Sequence, residues 1–170
     1  MKTYYGHRGD QTEEIVNNMN YVYLLEKTAV VNKIPTPVKV MKMEYGRITS
    51  AFFEKQSTVD YHGVYQGLPI CFDAKETELK NFPLKNLHQH QVDYMNDYTK
   101  IGKGVAFILC YCKSDKNYYY IPLKIINEYW DGYINDTGRK SIPFKELTNY
   151  IIPQRDGLPD YLKIIDKLEK

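Results

Sequence analysis

The stretch GLPICFDAKET, Gly67 to Thr77, decides how this chain is read. Side chains of an extended strand alternate between faces, so Ile70, Phe72 and Ala74 point one way and Cys71, Asp73 and Lys75 the other. One face is apolar enough to be buried. The opposite face sets a carboxylate and an ammonium side by side. Upstream, VDYHGVYQ (Val59–Gln66) has the composition of a partner strand, and Gly63 and Gly67 are read as turn positions. A hairpin formed in this way brings Asp60 beside Asp73.

Working outward, TEEIVNNMNYVYLLEKTAVV from Thr12 predicts a helix with Ile15, Met19, Val22 and Leu25 on its inner side and Thr12 as its cap. Residues 1 to 10 are read as a flexible arm. Pro35 and Pro37 exclude helix and open a strand near Val38, and residues 41 to 56 form an exposed hairpin-like excursion. FPLKNLHQHQVDYMNDYTKIG predicts a helix ended by Gly102, with Leu87, Val92, Met95 and Tyr98 on one side. GVAFILCYC has the length and apolarity of a central strand, and NYYYIPL of another. Pro122 opens a short helix, and LPDYLKIIDKLEK a last one. The order of elements predicts a single layered α/β domain over 1–170.

Composition sets the outer limits. With 170 residues, 43% hydrophobic and 26% charged, the chain has the make-up of a folded globular protein. A formal charge of +2 is too small to establish a nucleic-acid partner, although local clustering can. No apolar run approaches the roughly 20 residues of a membrane span, and MKTYYGHRGDQTEE lacks a signal-peptide core. Three cysteines, two at alternate positions in an apolar run, are expected as free thiols in a reducing cytoplasm. Zinc is disfavoured, because His88/His90 and Cys110/Cys112 are each spaced by one residue rather than two to four.

Two acids on adjacent strands, with a lysine two residues after the second, recur in phosphodiester hydrolysis. Such carboxylates repel one another unless a cation lies between them, and hard oxygen ligands suit Mg²⁺. The lysine can then stabilise charge developing on phosphorus. Taken alone, Asp73 and Lys75 could equally be a salt bridge on an edge strand. QSTVDYHGVYQGLPICFDAKET followed by FPLKNLHQHQ changes that balance. These segments resemble the RecU family of bacterial Holliday-junction resolvases. The pattern is carried by Thr58, Asp60, Tyr61, Gly63, Val64 and Tyr65, then Phe72, Ala74, Lys75, Glu76 and Thr77, then Phe82, Pro83, Leu84, His88, His90 and Gln91. HRG at His7–Gly9, IPTPV at Ile34–Val38, GRKSIPF at Gly138–Phe144 and PDYLKIID at Pro159–Asp166 extend it along nearly the whole chain.

The resemblance implies a restriction-endonuclease-like fold: a central mixed β-sheet flanked by helices, with a stalk at about residues 41–56 inserted between strands. It implies Mg²⁺, replaceable by Mn²⁺, held around Thr58, Asp60, Asp73 and Gln91, with Asp60, Asp73 and Lys75 as the catalytic set. Asp73 stands where the family usually has glutamate. The stalk, with Lys39, Lys42, Arg47, Phe52, Phe53 and Lys55, is expected to enter the centre of a four-way junction. Arg8 is a candidate phosphate contact or second catalytic cation, and Arg139 and Lys140 are candidate phosphate contacts. Glu13 is either a further acid of the site or a favourable charge at a helix N-terminus. His88 and Gln91, three residues apart, share a helix face. The implied activity is resolution of Holliday junctions by paired symmetric nicks in recombination and repair, each leaving a 5′ phosphate. It implies a homodimer as well, and a recombinase and a branch-migration helicase as candidate partners. The competing readings are a nuclease of the same fold acting on other DNA structures and a non-catalytic DNA-binding accessory protein.

Overall fold

The computed structural model describes residues 10–53 and 58–168. Arg8, the HRG segment and Lys55 lie outside the described residues, as does the expected arm apart from Asp10, where the first helix begins. The elements in chain order are α1 (Asp10–Leu25), β1 (Ala29–Lys33), β2 (Val38–Glu44), β3 (Arg47–Phe53), β4 (Tyr61–Tyr65), β5 (Leu68–Thr77), β6 (Asn81–Pro83), α2 (Gln89–Lys100), β7 (Val105–Cys112) and β8 (Asn117–Pro122). They continue with α3 (Leu123–Ile134), β9 (Ser141–Pro143), β10 (Ile151–Ile152), β11 (Gln154–Arg155), β12 (Leu158–Pro159) and α4 (Leu162–Leu168).

Six strands form the central sheet in the order β1-β4-β5-β7-β8-β10. β5 and β7 pair in parallel and the other neighbours antiparallel, so the sheet is mixed. The parallel pair requires a crossover, which α2 supplies. Both faces are covered. Val16, Met19 and Tyr23 of α1 and Leu162, Ile164 and Ile165 of α4 pack on one face, against Ile70, Phe72, Phe107 and Tyr120. Val92 and Met95 of α2 and Ile126 and Trp130 of α3 pack on the other, against Cys71, Ile108, Cys110 and Ile121. Among the described residues, no helix is long and apolar enough to cross a membrane.

β5 is therefore an interior strand, which removes the edge-strand reading of Asp73 and Lys75. Its alternation holds as expected: Ile70, Phe72 and Ala74 belong to the α1/α4 layer and Cys71 to the α2/α3 layer. All three cysteines are buried and unpaired with one another.

Several local expectations are corrected. The first helix stops at Leu25, and Ala29–Lys33 is a strand rather than more helix. Thr28 N–H donates to Tyr23 O (2.9 Å) and Lys27 N–H to Leu24 O (3.1 Å), with Lys27 at φ 57°. This is a Schellman end with lysine in the left-handed position usually held by glycine, so no glycine announces it. Thr12 lies inside the helix, not at its cap, and Leu25 faces solvent while Tyr23 turns inward. Gly63 is not a turn residue. It sits within β4 opposite Val31, where a Cβ would come within 2.5 Å of Val30 O. Backbone crowding, not turn geometry, is what requires glycine here. The helix predicted from Phe82 begins only at Gln89, after β6 and a 3₁₀ turn over Leu84–Asn86.

β2 and β3 form a two-stranded ribbon outside the main sheet, and every residue of both strands is exposed. Lys39 lies opposite Phe52 and Val38 opposite Phe53, so neither phenylalanine enters the core.

Candidate active site

β4 and β5 position the acids. Tyr61 pairs with Phe72, so one step further along the ladder Asp60 faces Asp73. There the side chains take over the ladder. Asp60 N–H donates to Asp73 Oδ1 (2.9 Å), and Ala74 N–H donates to Asp60 Oδ2 (3.0 Å). Asp73 is fully buried. Lys75 Nζ lies 2.5 Å from Asp73 Oδ2, and Gln91 Nε2 donates to the same oxygen at 2.8 Å. A buried carboxylate needs such partners, because an unpaired charge in the interior is strongly disfavoured.

Gln91 reaches Asp73 because of how α2 starts. Its Oε1 accepts the His88 N–H (3.1 Å), the reciprocal half of a capping box, which leaves Nε2 directed at Asp73. The two ends of the Gln91 amide thus join the helix cap to Asp73. His88 supports it through its backbone N–H. Thr58 lies half-buried at the bend before Val59. Tyr94 Oη lies 2.9 Å from His62 Nε2.

Beside the acid pair opens a cleft of about 650 Å³ lined by Glu13, Asp60, Ala74, Lys75, Glu76, Thr77, Glu78 and Lys113. Glu13 reaches it from α1 and ion-pairs with Lys33 at the end of β1. Glu13 thus stands in the first turns of α1 and at the cleft at once. Glu76 and Lys113 join the cleft without a chemical role expected from the sequence. Glu76 Oε2 accepts from Thr12 Oγ1 (3.0 Å) and Oε1 from Lys113 Nζ (2.7 Å), tying α1, β5 and the β7–β8 turn together. Lys113 has no local signal. It arrives 38 residues after Lys75 because β5 and β7 run in parallel and Lys113 N–H donates to Thr77 O (2.8 Å).

The electrostatics follow from this crowding. Burial, and then the Asp73 carboxylate, push Asp60 up to about 6, against the opposing pull of Lys75. Burial pushes the Lys75 ammonium down, but Asp73, Asp60 and Glu13 more than reverse this, so it stays charged at neutral pH. Two adjacent hard-oxygen acids suit a small divalent cation. Of the four residues expected as ligands, Asp60 and Asp73 bring carboxylate oxygens together. Mg²⁺ commonly keeps several waters, so a carboxylate pair suffices. Among the described residues, no group of three or more His, Cys, Asp or Glu forms a metal cage.

A pH dependence follows. The folded chain holds the Asp60 proton more tightly than the unfolded chain, so this contribution is complete below about pH 4 and is lost as pH rises through about 6. It amounts to at most about 3 kcal/mol, at roughly 1.4 kcal/mol per pKa unit. Thermal unfolding in chelator from pH 4 to 8 is expected to show this decline in wild type. Asp60→Asn is expected to flatten it. An equal slope in the variant would assign the decline to other groups.

The expected DNA contacts separate in space. Lys39, Lys42, Arg47, Phe52 and Phe53 share the exposed β2–β3 ribbon, with Lys42 2.6 Å from Glu44. Arg139 and Lys140 lie in another loop, paired with Glu146 (2.9 Å) and Asp136 (2.9 Å), and the Lys140 carbonyl accepts the Leu84 N–H. That loop borders the approach to α2, not the ribbon.

The family described as Recombination protein U, RecU, matches residues 7–167. The chain belongs to the RecU family. A Holliday junction resolvase RecU of Pediococcus pentosaceus is 41% identical over 178 residues, covering 99% of this chain and 87% of that protein. RecU of Staphylococcus epidermidis is 40% identical over 173 residues, covering 96% and 82%. RecU of Oenococcus oeni is 37% identical over 175 residues, covering 95% and 88%. The solved structure of Archaeoglobus fulgidus Hjc, a Holliday junction resolvase from an archaeal hyperthermophile, aligns with TM-score 0.43 and 9% identity, covering 69% of this chain and 74% of that one. In this chain of the RecU family Asp73 is gripped from three sides, by the Asp60 N–H, Lys75 and Gln91.

Proposed function

We propose that this chain is a Holliday junction resolvase: a divalent-metal-dependent endodeoxyribonuclease that nicks two opposing strands of a four-way junction. The observation that carries the reading is the joining of Asp60, Asp73 and Lys75 at the edge of an open cleft, in a chain of the RecU family.

Asp60 and Asp73 would hold the metal, Mg²⁺ with Mn²⁺ as a substitute. When bound, the ion supplies charge neutralisation at the phosphate and acidifies a water. Gln91 and the Asp60 N–H fix the plane of the Asp73 carboxylate, so the acid does not reorganise during reaction. Lys75 remains protonated and stabilises the negative charge that grows on the phosphoryl oxygens. Water oxygen joins phosphorus, the bond to the 3′ oxygen breaks, and the products carry a 5′ phosphate and a 3′ hydroxyl. The ribbon cations Lys39, Lys42 and Arg47 contact phosphates without reading sequence. A junction offers two symmetry-related phosphates, which a two-fold homodimer with one site per subunit matches.

The test is a labelled panel of mobile four-way junction, three-way junction, flap and linear duplex, incubated with and without Mg²⁺. Wild type is expected to nick the four-way junction in symmetric pairs and only with metal. Lys75→Ala is expected to be about 10²- to 10³-fold slower. Equal cutting of linear duplex, or metal-independent cutting, would overturn the reading.

A further inference from the structure

We propose that Thr12 and Glu76 form a positioning link for the reaction, holding the first turn of α1 so that the Glu13 carboxylate stays in the cleft beside Asp60. This rests on the resolvase reading and concerns two residues that act through Glu13.

α1 meets the sheet through Val16, Met19 and Tyr23, and Val16 is the first of its apolar residues to be fully buried. The turn before it carries Thr12 and Glu13 and is held by polar contacts. Thr12 is 3% exposed, and its Oγ1 donates to Glu76 Oε2 at 3.0 Å. A threonine deeper in a helix can return its hydroxyl to the carbonyl four residues back. In the first turn no such carbonyl exists within the helix, so the hydroxyl reaches outward. Tyr61 Oη donates to the Glu13 carbonyl at 3.1 Å. Tyr61 follows Asp60, and Glu76 lies three residues beyond Asp73, so this turn is registered against both acids.

Stability alone does not account for an acid at position 76. Alternation along β5 puts Glu76 in the row of Ile70, Phe72 and Ala74, the face that α1 and α4 cover. A leucine there would pack, whereas a carboxylate has to be compensated. The fold compensates it twice. Oε2 takes the Thr12 hydroxyl and Oε1 takes Lys113 Nζ at 2.7 Å, which together fix the carboxylate plane. Well-packed apolar side chains commonly stabilise a fold as much as a buried polar link or more. A polar link used in their place, at the rim of the cleft, points to placement.

What it places is Glu13, the next residue after Thr12 on the same turn. Glu13 lines the cleft with Asp60 and Lys75, and its carboxylate is one of the three that keep the Lys75 ammonium charged. A turn set free at Thr12 shifts Glu13 relative to Asp60 and Lys75. Displacements of about 1 Å at a reacting centre cost up to about 10²-fold in rate. Binding of the DNA does not depend on this turn, so the loss falls on the chemical step.

The test replaces the polar link by an apolar contact, Thr12→Val with Glu76→Leu, beside Thr12→Val alone and Thr12→Ser, which keeps the hydroxyl. Single-turnover nicking of a four-way junction in Mg²⁺, junction affinity in Ca²⁺ and Tm are measured on the whole chain. The double variant is expected to unfold no earlier than wild type and to bind the junction within about twofold, while nicking falls about 10- to 10²-fold. Thr12→Val alone is expected to lose a similar factor and Thr12→Ser to recover it. In a Glu13→Gln background the same changes are expected to cost less than about twofold more, because residues acting as a unit are not additive. Equal nicking by Thr12→Val and Thr12→Ser would overturn the proposal whatever the double variant does to Tm. So would a loss undiminished in the Glu13→Gln background. A wild type that nicks no four-way junction would overturn the resolvase reading itself, and this inference with it.

Discussion

Asp73→Asn is expected to lower single-turnover nicking of a four-way junction by at least about 10³-fold, while junction binding in Ca²⁺ persists. The substitution removes one of the two charges that would hold the metal, and preorganised charge is the largest single contributor to such reactions. It also reverses a hydrogen-bonding group. Asparagine can still accept the Asp60 N–H through Oδ1, but its amide nitrogen then meets Gln91 Nε2 and Lys75 Nζ, donor against donors. Either the side chain flips and loses Asp60, or Gln91 lets go and disturbs the start of α2. The cost in stability is expected to be about 1–3 kcal/mol, as for a buried group left without its partner. It stays moderate because Lys75 is 24% exposed and reaches water. Activity loss far beyond stability loss is the signature sought. A variant that nicks within tenfold of wild type would remove Asp73 from the chemistry.

Phe72→Ala is expected to have the largest effect on stability. Phe72 has no exposed surface and stacks on Tyr61 and Phe107, both at 4.7 Å between ring centroids, with Tyr161 at 5.0 Å. Removing it costs the transfer of a large apolar side chain and opens a cavity between β5 and α4, about 3–5 kcal/mol. In a chain of this length that corresponds to a fall in Tm of roughly 10 °C. Asp73 is the next residue along β5, so loosening this layer also frees the carboxylate. Nicking at 25 °C is expected to fall well before the chain unfolds. Phe72→Leu, which keeps most of the volume, is expected to cost less than about 1.5 kcal/mol. A Tm shift below about 3 °C for the alanine variant would show that the cavity collapses at little cost.

These two residues also mark what could be read without coordinates. Asp60, Asp73 and Lys75 were legible because strand alternation and one short hairpin bring them together, and both are local properties of the chain. Phe72 was legible as their support for the same reason. Gln91 was legible as a neighbour of the site but not in its orientation. Which end of its amide faces Asp73 depends on the His88 N–H, which is free to be capped only because the helix starts at Gln89 and not at Phe82. Lys27 hid the end of α1, since a lysine held in the left-handed region looks like any helical lysine in sequence. Gly63 misled in the opposite direction: glycine signals a turn, whereas here it makes room for the backbone of β1.

The sequence by itself determined the acid pair, its lysine, the apolar layer behind them and the family to which the chain belongs. The acids, the lysine and the apolar layer are written in residues a few positions apart, where period-two alternation acts directly, and the family in motifs that run along nearly the whole chain. Only the tertiary structure decided that β5 lies inside the sheet, that Glu13, Glu76 and Lys113 share one cleft with Lys75, and that Thr12 and Glu13 are tied to Glu76 and Tyr61. Those placements come from strand order and helix docking between segments far apart in the chain, and no local pattern of residues encodes them.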